Sequence, residues 1–143
     1  VCKNAGNTIT KTLDSVSSQT YKNIEHIIID GESTDDTLDI IKNVRNKIVL
    51  ISEKDSGIYN AMNKGIKIAT GDILYFLNAN DYLYDENVIR DVANEFELSG
   101  SEFMYGATTV ADEAGNIINN YGVGDVDTKF FMDGYNICHQ STF

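Results

Sequence analysis

The stretch Ile27-Ile28-Ile29-Asp30-Gly31-Glu32-Ser33-Thr34-Asp35-Asp36-Thr37 decides the fold. Three consecutive isoleucines leave no polar face, which is the pattern of a strand buried on both sides, and Asp30-Gly31 ends it in a polar turn. Ser33 stands three residues before Asp36, a capping-box variant with aspartate in the usual glutamate place, so a helix is expected to start here. Leu38, Ile41 and Val44 then recur at helical spacing.

The same alternation extends in both directions. Ile48 to Ile51 and Ile73 to Leu77 are further strand-like apolar runs, and Phe103 to Val110 reads as another strand. Helical spacing recurs in Ile9, Leu13 and Val16, in Ile58, Met62, Ile66 and Ala69, and in Ile89, Val92, Ala93 and Phe96. Asp85-Glu86 puts negative charge at the start of the last of these helices, where the helix dipole favours it. The turn Asp112-Glu113-Ala114-Gly115-Asn116 returns into Ile117-Ile118, giving a β-hairpin near residues 103–121. Each parallel crossover needs a helix-sized connection, so the class is α/β: a mostly parallel sheet flanked by helices. From Gly122 to Gly134 the pattern fades.

A chain of 143 residues with 42% apolar content suits one domain, here residues 1–143. Its formal net charge of −11 repels phosphate backbones and anionic lipid headgroups, which argues against nucleic acid and against a membrane surface as partners of this segment. Any anionic ligand then needs a local cationic device. Cys2 and Cys138 form neither a disulfide framework nor a CxxC metal site, and a reducing, cytoplasmic setting fits. No apolar run approaches the roughly 18–20 residues of a membrane span, so membrane association is expected only through regions outside this chain, at the inner face of the plasma membrane. Val1-Cys2-Lys3-Asn4 opens abruptly and Gln140-Ser141-Thr142-Phe143 carries no stop signal. The chain therefore reads as a fragment, with a strand before Asn4 cut short.

In open α/β sheets, ligands bind outside the carboxyl ends of the strands. Three polar turns qualify: Asp30-Gly31-Glu32-Ser33, Ser52-Glu53-Lys54-Asp55-Ser56-Gly57, and Asn78-Ala79-Asn80-Asp81. Their oxygens suit a base or ribose as acceptors, or a divalent cation that meets phosphates; the competing reading is that aspartates cap helices and turns. Beyond Gly57, Asn60, Asn63 and Lys64 form a polar stripe on the next helix. Lys64 reads either as a phosphate partner or as solvated surface. His26 precedes a buried strand without a partner motif, and packing is its default role.

These residues together resemble a known family. Asp30-Gly31-Glu32-Ser33-Thr34-Asp35-Asp36-Thr37 resembles the D-(D/G)-x-S-x-D-x-T turn of family 2 glycosyltransferases. Glu53 to Gly65 is similar to their second signature, and Gly71-Asp72-Ile73 before Leu77-Asn78-Ala79-Asn80-Asp81 is similar to the strand that enters their metal motif. The resemblance implies the GT-A fold and transfer of a sugar, UDP-linked, with inversion, to a glycan or lipid-linked acceptor in a bacterial polysaccharide or glycoconjugate pathway. It implies Asp30 against the nucleobase and Asp55 lining the nucleoside pocket, with Gly57, Asn63 and Lys64 as further candidates for donor binding. It also implies Mn2+ or Mg2+ at Asn78, Asn80 and Asp81, with His139 of a His-Gln segment near the phosphates or metal.

One departure from the family pattern is chemical: Asn80 stands where aspartate is usual, and a neutral amide oxygen binds a hard cation more weakly than a carboxylate. The resemblance further puts the general base beyond Phe143, leaving the acceptor half largely absent; Asp125, Asp127 and Asp133 are candidates by type alone. The alternative from another class is a noncatalytic nucleotide-sugar or glycan-binding domain. A nucleotidyltransferase would need a glycine-rich phosphate loop, and Lys3-Asn4-Ala5-Gly6-Asn7 has a single glycine.

Overall fold

The computed structural model describes residues 1–44, 47–112, 114, 116–121 and 142–143. In chain order the elements are α1 (Ile9–Ser17), β1 (His26–Asp30), α2 (Thr37–Lys42), β2 (Ile48–Ser52), α3 (Ile58–Ile68), α4 (Val88–Ser99), β3 (Thr108–Ala111) and β4 (Ile117–Tyr121). β1 and β2 pair in parallel, with His26 opposite Ile48 and Asp30 opposite Ser52. Cys2 adds a parallel bridge to Asp30.

The isoleucine run works because successive strand side chains point to opposite faces. Ile28 packs with Ile9 and Leu13 of α1 and Ile41 of α2, and Ile48, Leu50 and Ala79 close around them. Ile29 points the other way, toward α3, where a methyl group on Gly65 would stand 3.8 Å from its Cγ1. Two helices thus cover one face of β1 and one covers the other. Each isoleucine or leucine fully buried this way contributes about 1.5–3 kcal/mol.

The α/β alternation and the hairpin are present, while several local expectations change. Ser33 does not cap α2: the N-cap is Asp36, with no side-chain cap bond, and the Ser33 hydroxyl donates instead to Asp30. Asp35, one residue earlier, accepts the Thr37 N–H at 3.1 Å. Ile73 to Leu77 is not a ladder strand. It and β1 both line a cavity of about 430 Å³, also bounded by Met62 and Ile66 of α3 and Val92 of α4. Its backbone does not pair with β1, and the Val1 amino group lies 3.5 Å from the Leu77 carbonyl. The strand expected from Phe103 shrinks to β3 among the described residues, and Tyr105 makes an isolated antiparallel bridge to Thr142. β4 pairs antiparallel with β3 and extends past Ile118 to Tyr121. No helix among the described residues is long and apolar enough to cross a membrane.

Gln19 joins the two ends of the helical layer. Only 1% exposed, it donates to the Ser15 and Asp85 carbonyls at 3.1 and 2.6 Å and accepts the Ile89 N–H at 3.0 Å. The side chain therefore fastens the first turn of α4 to the end of α1. Gln19→Leu removes the three hydrogen bonds of this buried side chain, and we expect a loss of about 1–3 kcal/mol in urea unfolding. An unchanged midpoint would show that other contacts hold α4.

Candidate functional site

β1 delivers Asp30 to the carboxyl edge of the parallel pair, and there it is 0% exposed. Burial pushes its pKa up, but hydrogen bonds override this and leave it below the ordinary 3.8. The donors are the Ser33 hydroxyl, the Ser52 hydroxyl at 2.7 Å, the Ser33 N–H at 3.0 Å and the Cys2 thiol at 3.6 Å. Burial first, and then the Asp30 charge, push the Cys2 thiol up to about 12, so it remains a protonated donor. A carboxylate offers about four lone-pair sites, and here two donors reach each oxygen.

This environment sets a pH dependence. Because the folded value is depressed, the stabilisation is complete above 3.8, the ordinary aspartate value, and is lost as pH falls through the lower folded value. We expect Asp30→Asn to flatten the acid limb of the urea midpoint plotted against pH. An acid limb as steep as wild type would mean that other carboxylates govern acid unfolding.

The next residue, Gly31, forms a floor. A Cβ placed there would stand 2.7 Å from Asp55 Oδ2 and 3.3 Å from Lys3 Cδ. Asp55 comes from the β2–α3 loop and its other oxygen accepts the Gly57 N–H at 2.9 Å. Gly57 itself has φ +123, a conformation that L side chains rarely adopt, so glycine is required to turn the chain into α3. Lys3 is exposed and makes no ion pair within the described residues. Sequence reasoning did not select it, although it is a cation beside an acidic turn in a chain of net charge −11. Lys64 is already engaged: its ammonium lies 2.9 Å from Glu53 Oε1 and donates to the Lys54 carbonyl at 2.9 Å. Asn63 is exposed on the same helix.

Asn78 to Asp81 form the third turn, closed by Asp81 N–H on the Asn78 carbonyl at 3.0 Å. Hydroxyls of α1 and its cap seat it, Thr8 on the Ala79 carbonyl and Thr12 on the Asp81 carbonyl, both at 2.8 Å. Asn78 Nδ2 donates to Asp81 Oδ2 at 3.3 Å, while Asn78 Oδ1 is buried without a hydrogen-bond partner. Asn80 is exposed. An orphaned amide oxygen beside a carboxylate is chemically suited to a hard divalent cation, as part of an oxygen set that other ligands complete. Among the described residues, no group of three or more His, Cys, Asp or Glu side chains could hold a metal alone. His139, Cys138, Asp125, Asp127 and Asp133 lie outside the described residues. His26 is half-buried, and burial, then the nearby amino terminus, lower its pKa. It lines the core cavity, which agrees with a packing role.

The structure thus brings Gly31, Asp55 and Lys3 into direct proximity at the edge where Asp30 ends β1. The third turn follows Leu77, beside Val1, and Val1 precedes the Cys2 bridge to that same Asp30.

In a parallel α/β unit, polar turns at the carboxyl edge stand where ligands bind in open α/β sheets. The match to the glycosyl transferase family 2 model over residues 1–139 is more specific: the chain belongs to that family. A glycosyltransferase of PGL/p-HBAD biosynthesis from Mycobacterium bovis is 36% identical over 139 residues, 92% of this chain and 51% of that protein. The Escherichia coli protein WfaP, named a UDP-Glc:alpha-D-GlcNAc-diphosphoundecaprenol beta-1,3-glucosyltransferase, is 43% identical over 104 residues, 71% of this chain and 40% of its own. Staphylococcus aureus TarS residues 1–349, crystallised with UDP-GlcNAc, superposes with a TM-score of 0.65 at 26% identity, over 71% of this chain and 30% of that one. These likenesses fix the GT-A fold. The chain spans about half the length, 51%, of the mycobacterial relative.

We expect Gly31→Ala to displace the Asp55 carboxylate and the Lys3 stem, the flexible neighbours in its way, and to weaken nucleotide binding about tenfold. Unfolding should shift little. Calorimetry and a thermal melt read the two effects separately, and undiminished affinity would remove Gly31 from the site.

Proposed function

We propose that this chain forms the donor-binding half of a transferase that moves a sugar from a UDP-linked donor to a glycan or lipid-linked acceptor, with inversion. The observation that carries the reading is the approach of Asp55 and Lys3 over Gly31 at the carboxyl edge of the parallel strands. Two named proteins support the donor class: TarS was crystallised with UDP-GlcNAc and with UDP, and WfaP is named for UDP-Glc and a diphosphoundecaprenol-linked acceptor.

In this mechanism Asp55 accepts hydrogen bonds from the nucleoside, and Lys3 supplies positive charge beside it on a mostly acidic rim. Asn78, Asp81 and, after a rotation of its exposed amide, Asn80 would hold the divalent cation. When bound, that cation neutralises charge on the departing diphosphate. Inversion by a single in-line displacement also needs a carboxylate that takes the acceptor's proton on the opposite face, and removing such a base typically lowers rates about 100- to 10,000-fold. We assign that base to a segment beyond Phe143, so residues 1–143 alone bind donor but transfer little.

A noncatalytic binding domain is the second reading, favoured by the neutral Asn80 in the metal turn. Hydrolysis of donor by the full-length protein decides between the two, because a binding module leaves the sugar–phosphate bond intact. We further expect manganese to tighten UDP binding in calorimetry, and Asn80→Asp to steepen that dependence by on the order of tenfold. Failure of the wild-type protein to bind UDP would sink the donor assignment; an unchanged metal dependence in Asn80→Asp would move the cation's ligand set to Asn78 and Asp81.

A further inference from the structure

The carboxylate of Asp30 carries the most tightly specified hydrogen bonds at the edge, yet it shows no face to a ligand. It is 0% exposed, and both oxygens are occupied by protein donors. A nucleobase N–H could reach it only by displacing Ser33 or Ser52. Such a group is better placed to hold other groups than to bind.

What it holds can be followed bond by bond. The Ser33 hydroxyl that donates to Asp30 also accepts the Asn4 N–H at 2.8 Å. The next two backbone N–H groups are taken in turn, Ala5 by the Thr37 hydroxyl at 2.7 Å and Gly6 by Asp35 Oδ2 at 3.0 Å. Asn4 reciprocates, its side-chain oxygen accepting the Thr34 N–H at 2.8 Å. Both strands of this clasp are bent at left-handed non-glycine residues, Asn4 with φ 50 and Glu32 with φ 62. Conformations of this kind persist only where surrounding bonds over-determine them. Gly6 has no room for a side chain, since a Cβ there would overlap Asp36 Oδ1.

Three side chains at alternate positions, Ser33, Asp35 and Thr37, therefore grip three consecutive backbone groups. The residue immediately before the gripped segment is Lys3, whose stem lies beside Gly31, as does the Asp55 carboxylate. We propose that Asp30 is a positioning residue of the donor pocket: through Ser33, and with Asp35 and Thr37, it fixes the Asn4–Gly6 segment, and so sets Lys3 beside Asp55, without touching the nucleotide itself. The proposal rests on the donor-site reading above and reverses the role that family resemblance implies for Asp30.

The test is calorimetry of UDP and CDP on the full-length protein, with thermal unfolding of each variant. Ser33→Ala and Asp35→Asn weaken the grips on the Asn4 and Gly6 N–H groups, and Ser33→Thr restores the hydroxyl. We expect Ser33→Ala and Asp35→Asn each to weaken UDP about tenfold, measured well below their unfolding temperatures. The UDP-to-CDP preference should stay at its wild-type value, and Ser33→Thr should recover most of the affinity. Asp30→Asn, if it folds, should behave as Ser33→Ala does. Two results would overturn the proposal: wild-type affinity in Ser33→Ala and Asp35→Asn despite lowered melting, which makes the clasp purely structural, or an altered UDP-to-CDP ratio in Asp30→Asn alone, which makes Asp30 a base contact. A wild-type protein that binds neither nucleotide would overturn the donor reading itself, an outcome visible before any variant is made.

Discussion

A buried carboxylate at the end of β1 constrains everything near it. An ionised group out of contact with water is tolerated only with a full set of donors, because leaving it unpaired costs several kcal/mol. At Asp30 those donors come from three separate segments: Cys2 before the first loop, Ser33 in the turn that follows, and Ser52 at the end of β2. The Ser52 bond is possible because parallel register sets Asp30 opposite Ser52. One charge thereby ties the strand pairing, the first loop and the motif turn into a single edge, and misplacing any of the three would expose the others to that penalty.

Charge explains why the edge is built from neutral donors more than from ion pairs. With a formal net charge of −11, the chain has few cations to spend on structural carboxylates. Asp35 follows the same rule, held below the ordinary aspartate range by the Thr37 hydroxyl and the Gly6 and Thr37 N–H groups. Where a lysine is used structurally, as Lys64 is toward Glu53 and the Lys54 carbonyl, it is withdrawn from any ligand. Lys3 is left without an ion pair among the described residues at the spot where an anionic ligand most needs one.

Much of the fold was legible because hydrophobic period reports burial. Ile27 to Ile29 announced a strand covered on both faces, and Ile28 and Ile29 do pack in opposite directions. The same signal misled at Ile73 to Leu77, since an apolar run records that a segment is buried but not that a partner lies within hydrogen-bonding reach. Here the run lines a cavity, and Tyr75 stacks on Phe143 at 4.3 Å. Ser33 shows a second limit. Its spacing to Asp36 satisfies a cap pattern, but a buried aspartate three residues earlier competes for the hydroxyl, and that burial is a tertiary fact absent from local spacing.

For the candidate site, the sequence pointed to the polar turns after the apolar runs, while the different settings of their aspartates needed geometry. Asp30 and Asp55 read alike in sequence: each is an aspartate in a polar turn after an apolar strand. In the structure Asp30 is sealed and saturated, whereas Asp55 is half-exposed, spends one oxygen on Gly57 N–H and turns the other toward the floor at Gly31. The difference follows from where each lies relative to its strand's last ladder pair. Asp30 belongs to the ladder and is enclosed by neighbours on both sides, while Asp55 stands three residues past Ser52, the end of its strand, where the loop can swing its carboxylate outward. A motif aspartate inside the ladder is therefore suited to organising a site, and one beyond it to meeting a ligand.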